Sequence, residues 1–132
     1  MLFERFFIYH SFYVVLSHNH MSVRLLESEV TFTPDLEAPF SSQNLLISHM
    51  DVAQKMLKQA TKTLSLGFSF TKPLIIIHPT KLLKEELTAA EKRLYTIFAS
   101  AIKPRKILFT TGAELEFSAL KALVEEADRI EL

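Results

Sequence analysis

The chain has 132 residues, of which 48% are hydrophobic and 23% charged, which is typical of one globular domain with its own core and argues against disorder. Its 15 basic and 15 acidic residues cancel, and a neutral balance gives no electrostatic support to a nucleic-acid-binding role. The chain contains no cysteine, which excludes disulfides, thiolate catalysis and cysteine–zinc sites and fits a reducing, cytoplasmic compartment.

The first nine residues form an apolar, aromatic tip to a domain that we expect to span 1–132. The apolar run that starts there is interrupted by Glu4 and Arg5 and is shorter than the roughly 20 residues needed to cross a bilayer. Nor does a small-residue cleavage site follow it. Two interpretations remain open: an amphipathic helix that touches a membrane surface, or side chains that complete the core or a dimer interface. The side chains concerned are Leu2, Phe3, Phe6 and Phe7.

Three short strands are predicted next, because β-branched and aromatic residues alternate between polar turns. The predicted strands cover residues 12–16, 21–26 and 30–33, with turns at 17–20 and 27–28. Strands joined by such short turns pair with their neighbours in antiparallel fashion. The opening third of the chain therefore predicts an antiparallel meander.

A long helix follows the meander, because apolar residues recur every three or four positions between residues 46 and 64. Ser41 or Ser42 is the predicted N-cap, since a serine hydroxyl accepts a hydrogen bond from an orphan backbone N–H group. Gly67 lies just beyond the predicted end, where glycine often stops a helix.

The next strand, at 74–77, is apolar on both faces, which is typical of a central strand covered by helices on both sides. We expect the His78-Pro79 pair to end this strand. Thr88 and Glu91 then form a capping box that opens a second helix. The predicted inner face of that helix consists of Leu94, Ile97, Phe98 and Ala101.

A buried strand at 107–109 and a third helix complete the pattern. The apolar positions of this helix are Leu115, Ala119, Leu120, Leu123 and Ala127. The element order is β-β-β-α-β-α-β-α, and right-handed crossovers predict a mixed five-stranded sheet with helices on both faces. This is the plan of the ribonuclease H-like α/β fold. Actin-like proteins carry two such halves, and a chain of this length has room for one.

Two segments resemble the rod shape-determining MreB family of bacterial actins. The stronger, residues 72–112, has an isoleucine-rich strand ending in a proline, a Thr-x-x-Glu-Lys-Arg helix start, and Arg105-Lys106 before an apolar strand. The weaker, residues 1–26, resembles the family's opening, with its amphipathic tip, strand, phosphate loop and second strand. The Pro39-Phe40 loop before the first helix also resembles short, single-half MreB-like proteins.

The resemblance implies an ATP site that this sequence lacks the residues to build. Active members end the first strand in an Asp-x-Gly turn that orders magnesium and approaches phosphate, but Val15 and Ser17 stand at those positions here. Thr111 and Gly112 stand where the family has an acidic pair that positions the attacking water. We therefore expect no phosphoryl transfer, no catalytic residue and no cofactor.

The strand ends nevertheless converge in the predicted fold, because the carboxyl ends of parallel strands meet at one edge, where open α/β sheets usually bind ligands. A residual site there would contain Ser17, His18, His20, His78, Thr110 and Thr111. Three histidines can bind a divalent metal. The competing interpretation is that they are ordinary turn and strand-end residues, and we assign no metal to them.

Three functional hypotheses follow. The leading one is a non-catalytic actin-like scaffold or adaptor of the cell-shape or division machinery, cytoplasmic or at the inner face of the membrane. It would act by binding a protein partner or by forming a homodimer. The second is a cytoplasmic interaction module of a pilus or secretion assembly platform. The third is a small enzyme or metal-binding protein that uses the strand-end histidines.

Overall fold

The computed structural model of the protein describes residues 10–65, 72–80 and 86–130. The tip residues Leu2, Phe3, Phe6 and Phe7, and also Gly67, lie outside these ranges. The described strands and helices follow the expected β-β-β-α-β-α-β-α order, which is confirmed. In chain order they are β1 Ser11–Ser17, β2 His20–Leu25, β3 Val30–Phe32, α1 Met50–Leu64, β4 Leu74–Pro79, α2 Ala89–Ala99, a 3₁₀ turn Ser100–Ile102, β5 Lys106–Phe109 and α3 Phe117–Ile130.

The strands form one mixed sheet of five strands in the order β3-β2-β1-β4-β5. The meander β1-β2-β3 is antiparallel, whereas β4 runs parallel to both β1 and β5. Strand β4 is therefore interior, and Ile76 has no exposed surface, as its apolar run predicted. The mixed five-stranded sheet is confirmed.

Helices cover both faces of the sheet, because side chains alternate along every strand. One face of β1 carries Phe12, Val14 and Leu16, which pack in a single cluster with buried residues of α1 and α2. The opposite face carries Tyr13 and Val15, which pack with residues of α3. Helices α1 and α2 thus share one face, and α3 covers the other.

The predicted start of the first helix is wrong. Helix α1 begins at Met50, and its N-cap residue His49 makes no capping hydrogen bond through its side chain. Ser41 and Ser42 lie in the preceding loop, where the Ser41 hydroxyl donates to the carbonyl oxygen of Leu46 and accepts from the backbone N–H of Asn19. A contact distant in sequence therefore uses the hydroxyl that local capping rules assigned to the helix.

Three further predictions need correction. Strand β4 extends two residues beyond the predicted range 74–77, and His78 and Pro79 are its last residues. Ile97 is 48% exposed and Ala119 is also exposed, because the buried stripes of α2 and α3 are narrower than their apolar patterns. Strand β5 is half-buried along its length, since it lies at the end of the sheet.

The second helix begins as its sequence predicts. The Thr88 hydroxyl accepts a hydrogen bond from the backbone N–H of Glu91 at 3.1 Å, and the Glu91 carboxylate accepts from the backbone N–H of Thr88 at 2.9 Å. Each side chain satisfies a backbone donor that the first helical turn leaves without a partner. The capping box is therefore confirmed.

Candidate functional site

The parallel strands β1, β4 and β5 end at the same edge of the sheet, which we call the carboxyl edge. Ser17 ends β1 and pairs in register with His20, which starts β2. His78 lies near the end of β4, and Thr110 and Thr111 directly follow β5. Together with His18 in the β1–β2 turn, the fold therefore places all six residues of the predicted strand-end site at the carboxyl edge.

His78 is the most buried member of this set. It has no exposed surface, its Nδ1 lies 2.5 Å from the Tyr13 hydroxyl, and its Nε2 lies 2.9 Å from the carbonyl oxygen of Gly112. Because a carbonyl oxygen can only accept, we assign the ring proton to Nε2, which leaves Nδ1 to accept from the Tyr13 hydroxyl.

The Tyr13 hydroxyl continues the chain of hydrogen bonds. Its oxygen accepts from the backbone N–H of Leu115 at 3.2 Å. The Tyr13–His78 chain thus runs from the Leu115 N–H group through Tyr13 and His78 to the Gly112 carbonyl. Both of its ends lie in the loop between β5 and α3, so the chain fastens that loop to the two central strands. Gly112 has φ 90°, a backbone conformation that favours glycine.

The electrostatic environment keeps the Tyr13 hydroxyl protonated. Burial raises its pKa above 10.0, and the nearby Glu114 carboxylate raises it further. The Leu115 hydrogen bond and the Arg24 guanidinium act in the opposite direction without cancelling the effect of burial. A protonated hydroxyl is the donor that His78 Nδ1 requires.

The histidines do not converge as metal ligands. His18 and His20 are exposed, whereas both ring nitrogens of buried His78 are used in hydrogen bonds. Across residues 10–65, 72–80 and 86–130, no group of three or more histidine or carboxylate side chains is arranged to hold a metal ion. The three-histidine arrangement considered from the sequence is therefore not formed.

The β1–β2 turn is tied to the loop before α1. Asn19, whose φ is 51°, donates its backbone N–H to the Ser41 hydroxyl at 2.9 Å. Its side-chain oxygen accepts from the backbone N–H groups of Phe40 at 2.9 Å and Ser41 at 2.8 Å. A phosphate cradle needs backbone N–H groups directed at the ligand. In this turn the Asn19 N–H group is already occupied by the protein itself.

Val15, which the resemblance led us to compare with a cation-ordering aspartate of the MreB family, is an apolar core residue. It is 7% exposed, lies beside His78 in the β1–β4 register and packs in the cluster that contains Leu120 of α3. Val15 thus makes apolar contacts and offers no carboxylate near the end of β1.

A cavity of about 350 Å³ lies away from this edge. It is bounded by the last residue of β2, by β3 and by the end of α1, and its apolar lining includes Leu25, Val30, Phe32 and Leu64. None of the six strand-end residues contributes to its wall. The Tyr13–His78 chain and the cavity are therefore separate features.

Sequence reasoning missed Tyr13 and Asn19. Each looked ordinary, one as a strand aromatic and the other as a turn residue. A signal existed for Tyr13, because Tyr13 interrupts the apolar run 12–16 of β1 and His78 follows the apolar run 74–77 of β4, and buried polar groups are usually hydrogen-bonded. No local pattern links Asn19 to Ser41, which is 22 residues away.

No protein-family model matches the chain, and no curated protein matches its sequence. Among the helices of the described residues, none combines the length and the apolar character required to cross a membrane.

Proposed function

We propose that this chain is a non-catalytic ribonuclease H-like domain, related to one half of an actin-like protein, which acts by binding protein partners. The strand order β3-β2-β1-β4-β5 supports the fold assignment. So do the antiparallel direction of β2 and the distribution of two helices on one face and one on the other. The MreB-like segments add a sequence argument, which extends to a role in cell shape or division at the inner face of the membrane.

The observation that carries the proposal is the Tyr13–His78 chain. In this fold the carboxyl edge is where a ligand would bind. Here a fully buried histidine uses both ring nitrogens to hold the β5–α3 loop against the strands. Val15 and the Asn19–Ser41 contact remove two further requirements of a nucleotide site, a cation-ordering carboxylate and an open backbone N–H cradle.

Titration with ATP and magnesium, followed by amide NMR shifts of the full chain, tests the absence of a nucleotide site. We expect no saturable shifts up to millimolar ATP. Val15→Asp is an informative companion variant, because it restores only the carboxylate and leaves the Asn19 N–H group occupied. Saturable shifts of residues 17–21 in the wild-type protein at sub-millimolar ATP would contradict the proposal.

The partner class needs a separate experiment. Affinity capture from cells with the full chain as bait is expected to recover components of the cell-shape or division machinery. Recovery of pilus or secretion-platform proteins instead would favour the alternative assembly role. Capture of neither class in a preparation that binds magnesium or nucleotide would revive the small-enzyme hypothesis.

A further inference from the structure

The outer edge of β5 has no partner strand among the described residues. β5 is the last strand of the sheet and pairs with β4 on its inner side. Ile107 and Phe109 pack partly on the core cluster beneath α1 and α2, and Leu108 packs partly on the cluster beneath α3. Natural edge strands are usually protected by charges or prolines, yet three of the four residues of β5 are apolar.

The surfaces beside this edge are apolar on both faces of the sheet. Ile97 of α2 is 48% exposed, and α2 contributes to the same core cluster as Ile107 and Phe109. On the other face, Leu115 and the α3 residues Leu123 and Val124 are half-buried and pack, as Leu108 does, against the cluster beneath α3. An additional strand at this edge would bury parts of both surfaces together.

The backbone of β5 alternates between the two sides of the strand. Thr110 donates its N–H to the carbonyl oxygen of Ile77 at 3.0 Å, so it bonds towards β4. In a parallel pair every second residue bonds to the same neighbour, which means that Leu108 also faces β4. The N–H and C=O groups of Ile107 and Phe109 therefore face the outer edge.

We propose that β5 pairs in antiparallel fashion with β5 of a second copy of this chain, with the two-fold axis at Leu108. In that register Ile107 lies opposite Phe109 of the second copy, so the outward-facing groups form hydrogen-bonded pairs. Leu108 lies opposite its own counterpart in a non-hydrogen-bonded pair. Apolar residues meet apolar residues at all three positions.

The charge distribution around β5 is self-complementary in this arrangement. Lys103 and Lys106 lie at the start of the strand, while Glu114 and Glu116 lie in the loop beyond its end. Antiparallel pairing places the basic start of each copy at the end of β5 of the other, from which the loop with Glu114 and Glu116 departs, and keeps the two Lys106 side chains at opposite ends. This opposite-sign arrangement favours the second copy over an unrelated strand as the occupant.

The inference deepens the proposed function, because it names one partner of a domain that acts through protein contacts, and it rests on that function. The two proposals fail on different observations. Saturable ATP binding contradicts the non-catalytic function whatever the oligomeric state, whereas a strictly monomeric protein without ATP binding contradicts only the β5 dimer.

A single cysteine tests the register directly, because the chain has none of its own. In a non-hydrogen-bonded antiparallel pair the Cα atoms lie about 4.5 Å apart, within the roughly 4.4–6.8 Å that a disulfide spans. Under mild oxidation of the full chain, we expect Leu108→Cys to cross-link at least about tenfold faster than Val30→Cys on the opposite edge strand. Equal rates for the two variants, or no cross-link in either, would overturn the proposal.

Sedimentation equilibrium supplies an independent measurement. Leu108→Lys places two ammonium groups opposite each other on the two-fold axis and should raise the dimer dissociation constant by about tenfold or more. Val30→Lys adds the same charge at the other edge and should leave the constant unchanged. Circular dichroism melts establish whether both variants are folded. If Leu108→Lys is unfolded, the cysteine experiment tests the proposal instead. A wild-type protein that remains monomeric into the millimolar range would overturn the proposal.

Discussion

Tyr13→Phe deletes one oxygen atom from the Tyr13–His78 chain and leaves the aromatic ring in place. The deletion removes the donor to His78 Nδ1 and the acceptor of the Leu115 N–H group. His78 has no exposed surface, so water cannot replace the lost donor without a rearrangement. Its ring cannot exchange tautomers either, because Nε2 is needed as the donor to Gly112.

The expected loss of stability follows from the two polar groups that lose their hydrogen-bond partner. A buried polar group left without its partner costs about 1–3 kcal/mol, and the Leu115 N–H group is only partly buried and can be rehydrated. We therefore expect Tyr13→Phe to lower the free energy of unfolding by about 2 kcal/mol, a large fraction of the roughly 5–15 kcal/mol typical of a domain. Urea unfolding followed by circular dichroism measures this difference, and the m-value should remain unchanged.

A double-mutant cycle separates the hydrogen bonds from general packing. His78→Leu leaves the Tyr13 hydroxyl and the Gly112 carbonyl without their partner, whereas the double variant removes the paired groups of Tyr13 and His78 together. The double variant should therefore lose less stability than the sum of the single variants, with a coupling of about 1–2 kcal/mol. Strict additivity, or a Tyr13→Phe protein whose free energy of unfolding lies within about 0.5 kcal/mol of wild type, would refute the structural account of the Tyr13–His78 chain.

Three other predictions concern the core, alkaline stability and an ion pair. Ile76→Asp buries an unpaired charge in the interior strand and should abolish the cooperative thermal transition. The control Ile97→Asp, on the exposed side of α2, should melt near the wild-type temperature. Similar melting curves for the two variants would contradict the assigned burial. Burial, assisted by Glu91, raises the pKa of Tyr95 from 10.0 to about 12. The unfolded chain thus ionises first, so stability should hold below pH 10 and fall as the pH rises towards 12, with a smaller loss in Tyr95→Phe. Asp128→Asn weakens the 2.7 Å ion pair with Arg105, which is largely buried. Urea unfolding should show a loss of about 1–3 kcal/mol in the free energy of unfolding. The control Glu37→Gln, in the exposed 3.6 Å pair with Lys55, should lose less than about 0.5 kcal/mol.

The order and type of the strands and helices could be predicted from the sequence, because each depends on a short-range pattern. The alternation in the meander, the apolar run of β4 and the capping box of Thr88 are properties of neighbouring residues. Chirality of the crossovers then determines that β1, β4 and β5 run parallel. The placement of Ser17, His78 and Thr110 at one edge followed from these two arguments alone.

The chemistry of that edge was decided only by the tertiary structure. Tyr13 and His78 are 65 residues apart, and no local pattern indicates that the histidine will be buried with both nitrogens bonded. The Ser41 hydroxyl is equally suited to cap a helix or to bind the β1–β2 turn. It binds the turn because the folded turn places the backbone N–H of Asn19 beside it. Apolar periodicity likewise described α2 and α3 correctly but did not predict that Ile97 and Ala119 would be exposed. How much of an apolar stripe is buried depends on what packs against the helix in the folded domain, which periodicity alone does not specify.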